Sequence, residues 1–224
     1  MTDFEKFAVS RGIGTNTLDG FGRYNFKNGL IEPYILEERS LNCAPMSVFS
    51  RLMYDKIIFL GSAIDEDVAN IINAQLLYLN SITDKGDDIK MFINSPGGNC
   101  IDGLAIYDVM NYIDPDVSTY CMGMCASMGS ILVSSGTKGK RFILPNGKVM
   151  IHQVSSSGMG RIQNADLQIE AQESQKIQNT LYSILANNTG KTFEQIEKDA
   201  DRDHWFSAQE AVDYGLIDKI VTKQ

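Results

Sequence analysis

Histidine is the scarcest chemically versatile residue in this chain, with His152 and His204 the only two among 224 residues. The four cysteines (Cys43, Cys100, Cys121, Cys125) show no paired metal-ligand spacing. With so few histidines to join them, no metal is expected, and no other cofactor is called for. Basic residues are also short: 20 Lys and Arg face 28 Asp and Glu, giving a formal charge of −8. That balance excludes the basic footprint of a nucleic-acid partner. No apolar run approaches the roughly 18 residues of a membrane span, so no membrane partner is expected. The opening "MTDFEKFAVSRG" has neither the apolar core of a secretory signal nor an Arg-rich transit pattern. These absences together lead to the expectation of a reduced, soluble, cytoplasmic protein. Two motifs are missing as well. Without G-x-x-x-x-G-K-[ST] there is no nucleotide loop, and without G-x-S-x-G there is no hydrolase elbow of that pattern.

Apolar residues make up 43% of the chain, enough for a real core. Residues 1–30 are rich in Gly, Asn and aromatics without a period, and read as a flexible N-terminal arm. One domain is expected over 31–224. Strands and helices alternate within it. "DKIIFLG" (55–61) is a buried-strand run, and "EDVANIINAQLLYLNSI" (66–82) places Val68, Ile71, Ile72, Leu76 and Leu79 on one helical face. "IKMFINSPGG" (89–98) is a strand entering a turn; "IDGLAIYDVMNYI" (101–113) is a helix, "DVSTYCMG" a strand and "ASMGSILVSS" a short helix. "KRFILPNGKVMIHQ" predicts a hairpin with a Pro-Asn-Gly turn. A long polar-faced helix over about 165–188 ends at "NNTG"; with few neighbours in sequence to cover it, it is expected to project and pack on another subunit. Capping boxes at Thr192/Gln195 and Ser207/Glu210 open two more helices, and "IDKIVT" is a last strand. The alternation predicts an α/β layer fold with a mainly parallel sheet.

Four serines, Ser127, Ser130, Ser134 and Ser135, lie in "CMGMCASMGSILVSSG" (121–136). A hydroxyl is a weak nucleophile until a base takes its proton. His152 ends an alternating apolar strand beside a loop, where catalytic groups are commonly presented, although a half-buried strand histidine fits equally. Asp203 cannot orient its neighbour His204, because adjacent side chains point different ways. It is free to orient His152 or to sit in a surface ion pair. "NSPGG" (94–98) can aim N–H groups at a developing oxyanion or serve simply as a strand-to-helix turn. Ser127 stands where strand gives way to helix, beside unsatisfied N–H groups. The other three lie further along, where hydroxyls bond back to the preceding turn.

"FINSPGG", "GLAIYD", "CASMGS", "KGKRFILPNGKVMIHQ" and "DRDHWFSAQEAVDYGLIDKI" together resemble the family of Clp protease proteolytic subunits, the caseinolytic serine peptidases, from about residue 30 onward. The resemblance implies a Clp protease/crotonase-like repeated β-β-α superhelix with a projecting handle helix at about 155–190. It implies Ser127 as nucleophile, His152 as general base and then acid, and Asp203 as orienting carboxylate. Gly98 and Met128 would be the oxyanion donors. It further implies two stacked heptameric rings, with Asp201 and Arg202 at the ring-to-ring contact. A separate hexameric Clp ATPase unfoldase would dock at Phe92 and Tyr112 and feed in unfolded protein substrates. The family's work is protein quality control and regulated proteolysis.

The sequence departs from the family pattern at four places. Val154 follows "HQ" where proline is usual, and the loop "SSSGMGRIQ" is longer than the common Gly-Gly stretch. Met124 and Cys125 replace Gln-Ala, and "SLNCAP" (40–45) replaces a Gly-Glu-Arg segment. Two other functions compete with a peptidase: a non-catalytic ring subunit, and a crotonase-type acyl-CoA enzyme whose oxyanion turn "SPGG" would match.

Overall fold

Backbone pairing in the second unit is set by one ten-residue strand, β5, that serves as a spine for most of the others. The computed structural model describes residues 34–39, 42–84, 86–155 and 163–222. The expected arm 1–30 and residues 156–162 of the loop after His152 lie outside the described residues. The chain divides into two units after Asp55. In the first, β1 (Tyr34–Arg39) and β2 (Asn42–Ser47) pair antiparallel, from Tyr34 opposite Ser47 to Arg39 opposite Asn42. Helix α1 (Val48–Tyr54) follows directly, its N-terminus capped by the Ser47 hydroxyl, which accepts the Phe49 N–H at 3.2 Å.

The second unit begins with β3 (Ile57–Leu60), α2 (Glu66–Ile82), β4 (Ile89–Ser95), α3 (Cys100–Tyr112), β5 (Val117–Ala126) and α4 (Met128–Ser134). Strands β3, β4 and β5 run parallel in that order, as the crossover helices between them require. On β4, Ile89, Met91, Ile93 and Ser95 are buried, while Lys90 and Asn94 face out. Helix α2 buries Ala69, Ile72, Leu76 and Leu79, each apolar side chain larger than alanine contributing about 1.5–3 kcal/mol. Ile71 does not join them. It lies one residue, about 100°, round the helix from Ile72, outside the arc of buried residues, and is 58% exposed.

The expected hairpin over "KRFILPNGKVMIHQ" is not formed. Its turn exists, with the Gly147 N–H on the Leu144 carbonyl at 2.8 Å. However, β6 (Arg141–Ile143) and β7 (Lys148–Ile151) both lie parallel to β5, end to end, at Thr119–Cys121 and Met124–Ala126. The turn is a jog that lets one long strand carry two short ones. The far edge of β6 pairs with β9 (Lys219–Ile220), and that of β7 pairs antiparallel with β8 (His204–Phe206).

Helix α5 (Asn164–Thr189) is exposed over 164–173, and only its C-terminal end buries Leu181, Tyr182, Ile184 and Leu185. It stops at Gly190 in the left-handed conformation (φ 74°). Helices α6 (Phe193–Asp199) and α7 (Ala208–Tyr214) follow. At α7 the Ser207/Glu210 capping box closes in both directions. At α6 it closes in one: Thr192 accepts the Gln195 N–H at 3.2 Å, but the Gln195 amide turns to Asp199 at 2.8 Å. The acceptor there is a charged carboxylate, which makes the stronger bond.

Sequence reading gave no role to Arg141, which is 1% exposed. Its guanidinium donates twice to Asp218, at 2.9 and 2.6 Å, and to the carbonyls of Ser134 and Asn188 at 3.2 and 2.9 Å. It thereby ties the ends of α4 and α5 to the β6–β9 edge. Burial pushes the Asp218 carboxyl up, but the hydrogen bonds and charge of Arg141, with the Gly139 N–H, outweigh it and hold the group below its ordinary range. Arg141→Met is expected to cost about 3–5 kcal/mol in urea denaturation, because it strands the Asp218 carboxylate. Since the folded-state value is lowered, the stabilisation is complete above the unfolded value near 3.9 and is lost as pH falls below it. The variant's deficit should therefore shrink in that acid window; an unchanged deficit there would remove Asp218 as its cause.

Candidate active site

Strand register alone brings three separated residues together. In the parallel β5–β7 pair Ala126 stands opposite Met150, and the ladder runs one bond further, the Ser127 N–H donating to the Met150 carbonyl at 2.9 Å. Ser127 thus emerges beside His152, one residue beyond β7. In the antiparallel β7–β8 pair Ile151 stands opposite His204, so the next position outward sets His152 against Asp203. The side chains complete the line: Ser127 Oγ lies 2.7 Å from His152 Nε2, and His152 Nδ1 lies 3.1 Å from Asp203 Oδ1. Both distances suit proton transfer or hydrogen bonding. His152 is partly buried, with 24% of its side chain exposed, whereas the Asp203 side chain is 63% exposed.

Ser127 has a backbone conformation that side chains rarely adopt, φ 54° and ψ −123°. Such a geometry costs about 1–3 kcal/mol and persists where the surroundings enforce it. Here Gly97 supplies the room: a Cβ on it would lie 2.6 Å from the Ser127 Cβ and 2.9 Å from the Met128 nitrogen. Gly98 is equally constrained, since a Cβ there would lie 2.1 Å from the Ile64 carbonyl oxygen. The bridge to Ile64 uses the Gly97 carbonyl and the Asn99 N–H, each at 2.9 Å, which leaves the Gly98 N–H outside it. Met128, first residue of α4, has no intrahelical acceptor for its N–H. Gly98 and Met128 line the same open cleft of about 480 Å³ as Ser127 and His152. The Met128 side chain is buried against Gly103, where any Cβ would meet its Cγ at 2.1 Å, and this pins the N–H beside the cleft.

The remaining candidates separate cleanly. Ser130 donates to the Ser127 carbonyl at 2.6 Å, while Ser134 and Ser135 donate to that of Ile131 at 3.0 and 2.6 Å. All three hydroxyls bond back to the turn before them, as expected. His204 is held structurally, its Nδ1 3.1 Å from the Asp199 carbonyl and its ring stacked on Phe206 at 4.3 Å. Cys100 lines the cleft, but burial pushes its thiol up and keeps it protonated. Burial and the neighbouring Cys121 do the same to Cys125. Among the described residues no group of three or more His, Cys, Asp or Glu could hold a metal, and no helix is long and apolar enough to cross a membrane.

Asp201 and Arg202 are exposed beside Asp203, and the Asp201 carbonyl accepts from Gln153 Nε2 at 2.5 Å. Phe92 stacks on Tyr120 at 4.5 Å, and Tyr120 leans on Phe142 at 4.9 Å. Tyr112 stands apart at the end of α3, 76% exposed. Sequence reasoning missed Leu181, Tyr182 and Leu185 of α5, which wall the cleft. The signal was there in "LYSIL", an apolar cluster closing an otherwise polar helix.

A hydroxyl, an imidazole and a carboxylate in series, with two N–H groups at the same cleft, are the parts of an acyl-transfer site of the serine-hydrolase class. Comparison with known proteins makes the class specific. The Clp protease family model matches residues 42–224. An ATP-dependent Clp protease proteolytic subunit of Porphyromonas gingivalis is 51% identical over 224 residues, covering 100% of this chain and 99% of the relative. Proteins of the same description from Bacteroides fragilis and Bacteroides thetaiotaomicron are 48% and 46% identical over 224 residues, covering 100% of both chains in each pair. The chain belongs to the Clp protease family, and its mixed α/β fold and peptidase activity are those of that family.

Proposed function

We propose that this chain is the proteolytic subunit of an ATP-dependent Clp protease and cleaves unfolded proteins to short peptides through Ser127, His152 and Asp203. The observation that carries the reading is the unbroken Ser127–His152–Asp203 line, at 2.7 and 3.1 Å. Ser127 Oγ attacks the scissile carbonyl carbon while its proton passes to His152 Nε2. The oxyanion so formed faces the Gly98 and Met128 N–H groups, each such donor worth about 3–4 kcal/mol in the transition state. The protonated His152 then gives its proton to the leaving amine, and the C–N bond breaks. Water, deprotonated by the same imidazole, hydrolyses the Ser127 ester. Asp203 accepts from the Nδ1–H throughout and holds the imidazole in the tautomer that leaves Nε2 free.

Oligomerisation and a Clp ATPase partner are part of the same proposal. The chain carries no phosphate-binding loop of its own, so coupling to ATP must come from a partner. The exposed polar stretch of α5 supports a handle that packs between two stacked heptameric rings. Asp201 and Arg202 would meet the opposing ring, and Phe92 and Tyr112 the hexameric unfoldase. A cytoplasmic setting, with residues 1–30 as an arm outside the peptidase domain 31–224, completes the reading. The test is cleavage of a short fluorogenic peptide by the purified chain, with particle size measured on the same sample. Turnover by a particle of ring-assembly size is expected; a particle of that size that cleaves nothing would overturn the catalytic assignment.

A further inference from the structure

We propose that Gln178 is a positioning residue for His152, a latch on the backbone two residues beyond the imidazole; the proposal rests on the peptidase reading above. Val154 keeps a backbone N–H that a proline at this position would lack. That N–H donates to Gln178 Oε1 on α5 at 3.2 Å. Strand β7 ends at Ile151, so the segment carrying His152 leaves the sheet at once and is held by side chains instead. On one side the Gln153 amide donates to the Asp201 carbonyl at 2.5 Å, two residues before Asp203. On the other side stands the Gln178 latch. The two residues that follow His152 are therefore each tied down through an amide side chain, Gln153 to the turn bearing the carboxylate and Val154 to the long helix.

Gln178 is half-buried, at the point where α5 passes from its exposed stretch to the buried Leu181 and Leu185. Val154 lines the cleft together with Ser127 and His152. A general base must hold its geometry to within about 0.5 Å to act. Losing one anchor lets the chain after His152 swing and spreads the imidazole over unproductive poses. The cleft walls made by Leu181, Tyr182 and Leu185 stay in place. The latch therefore acts on turnover and leaves substrate binding alone, and any side chain that accepts a hydrogen bond at that reach can serve. A neutral hydrogen bond of this kind corresponds to about three- to tenfold in rate.

The experiment uses the full-length assembled protein, a short fluorogenic peptide, and separate kcat and KM. Gln178→Met keeps length and helix propensity but removes the acceptor, and kcat should fall about three- to tenfold with KM little changed. Gln178→Glu retains an acceptor oxygen and should restore kcat. Val154→Pro removes the donor; combined with Gln178→Met it should add no further loss, because both changes delete one bond. Wild-type kcat in Gln178→Met, an equal loss in Gln178→Glu, additive losses in the double variant, or a kcat that falls only with particle size would each overturn the latch. Ser127→Ala in the same assay separates the two levels. A wild type no more active than Ser127→Ala sinks the peptidase reading, whereas an active wild type matched by Gln178→Met sinks the latch alone.

Discussion

Ser127→Ala is expected to lower peptide turnover about a million-fold, to the residue supplied by binding and the cleft N–H groups. The size of the loss follows from the absence of a substitute. Of the serines that line the cleft, Ser127, Ser130 and Ser155, Ser127 is the one whose oxygen lies on the imidazole, at 2.7 Å. The hydroxyls of Ser130, Ser134 and Ser135 are each spent on a carbonyl of the preceding turn. Cys100, a stronger nucleophile when ionised, is kept as a thiol by burial. The loss should come without unfolding. Ser127 occupies the N-cap position of α4 but makes no side-chain capping bond, so alanine forfeits no cap, and the strained φ of 54° burdens both residues alike. Turnover and the urea midpoint, measured on one preparation, check the two halves of the claim. A variant with wild-type turnover would show that another group attacks the substrate.

How much of this could be read from the chain depended on how local each feature is. Helix α2 was expected over 66–82 and is found at Glu66–Ile82, because the apolar period that marks it lies within one stretch. The hairpin over "KRFILPNGKVMIHQ" failed for the opposite reason. A Pro-Asn-Gly turn says that the chain bends, but β5, some twenty residues earlier, decides what each arm pairs with. Arg141 was invisible on the same ground. A lone arginine in a strand reads as a surface charge until Asp218, 77 residues away, is known to face it.

Legibility at the site was likewise uneven. Ser127 was favoured by its strand-to-helix junction, and His152 by the shortage of alternatives. Family resemblance carried Asp203, Gly98 and Met128. What no motif conveyed was the reason the parts meet, namely two strand registers on either side of β7. Val154 was visible as a departure, yet its consequence required Gln178, 24 residues on, to be seen accepting its N–H.

Asp203→Asn is expected to lower kcat about ten-thousand-fold while leaving fold and assembly intact. The β7–β8 register sets residue 203 opposite residue 152, so the asparagine remains within reach of Nδ1. What changes is which way the proton points. A carboxylate only accepts, so Nδ1 must carry the hydrogen and Nε2 presents its lone pair to Ser127. An asparagine amide can donate to Nδ1 instead, which favours the tautomer with hydrogen on Nε2, and that tautomer cannot take the serine proton. The side chain is 63% exposed, and a pair so open to water adds little to folding, so urea midpoint and particle size should stay near wild type. That combination is the discriminating result. A small loss of turnover would make Asp203 an ordinary surface carboxylate, and a large loss with a fallen midpoint would make it a structural one. A large loss without a fallen midpoint requires that its role be to hold the imidazole's proton away from Ser127.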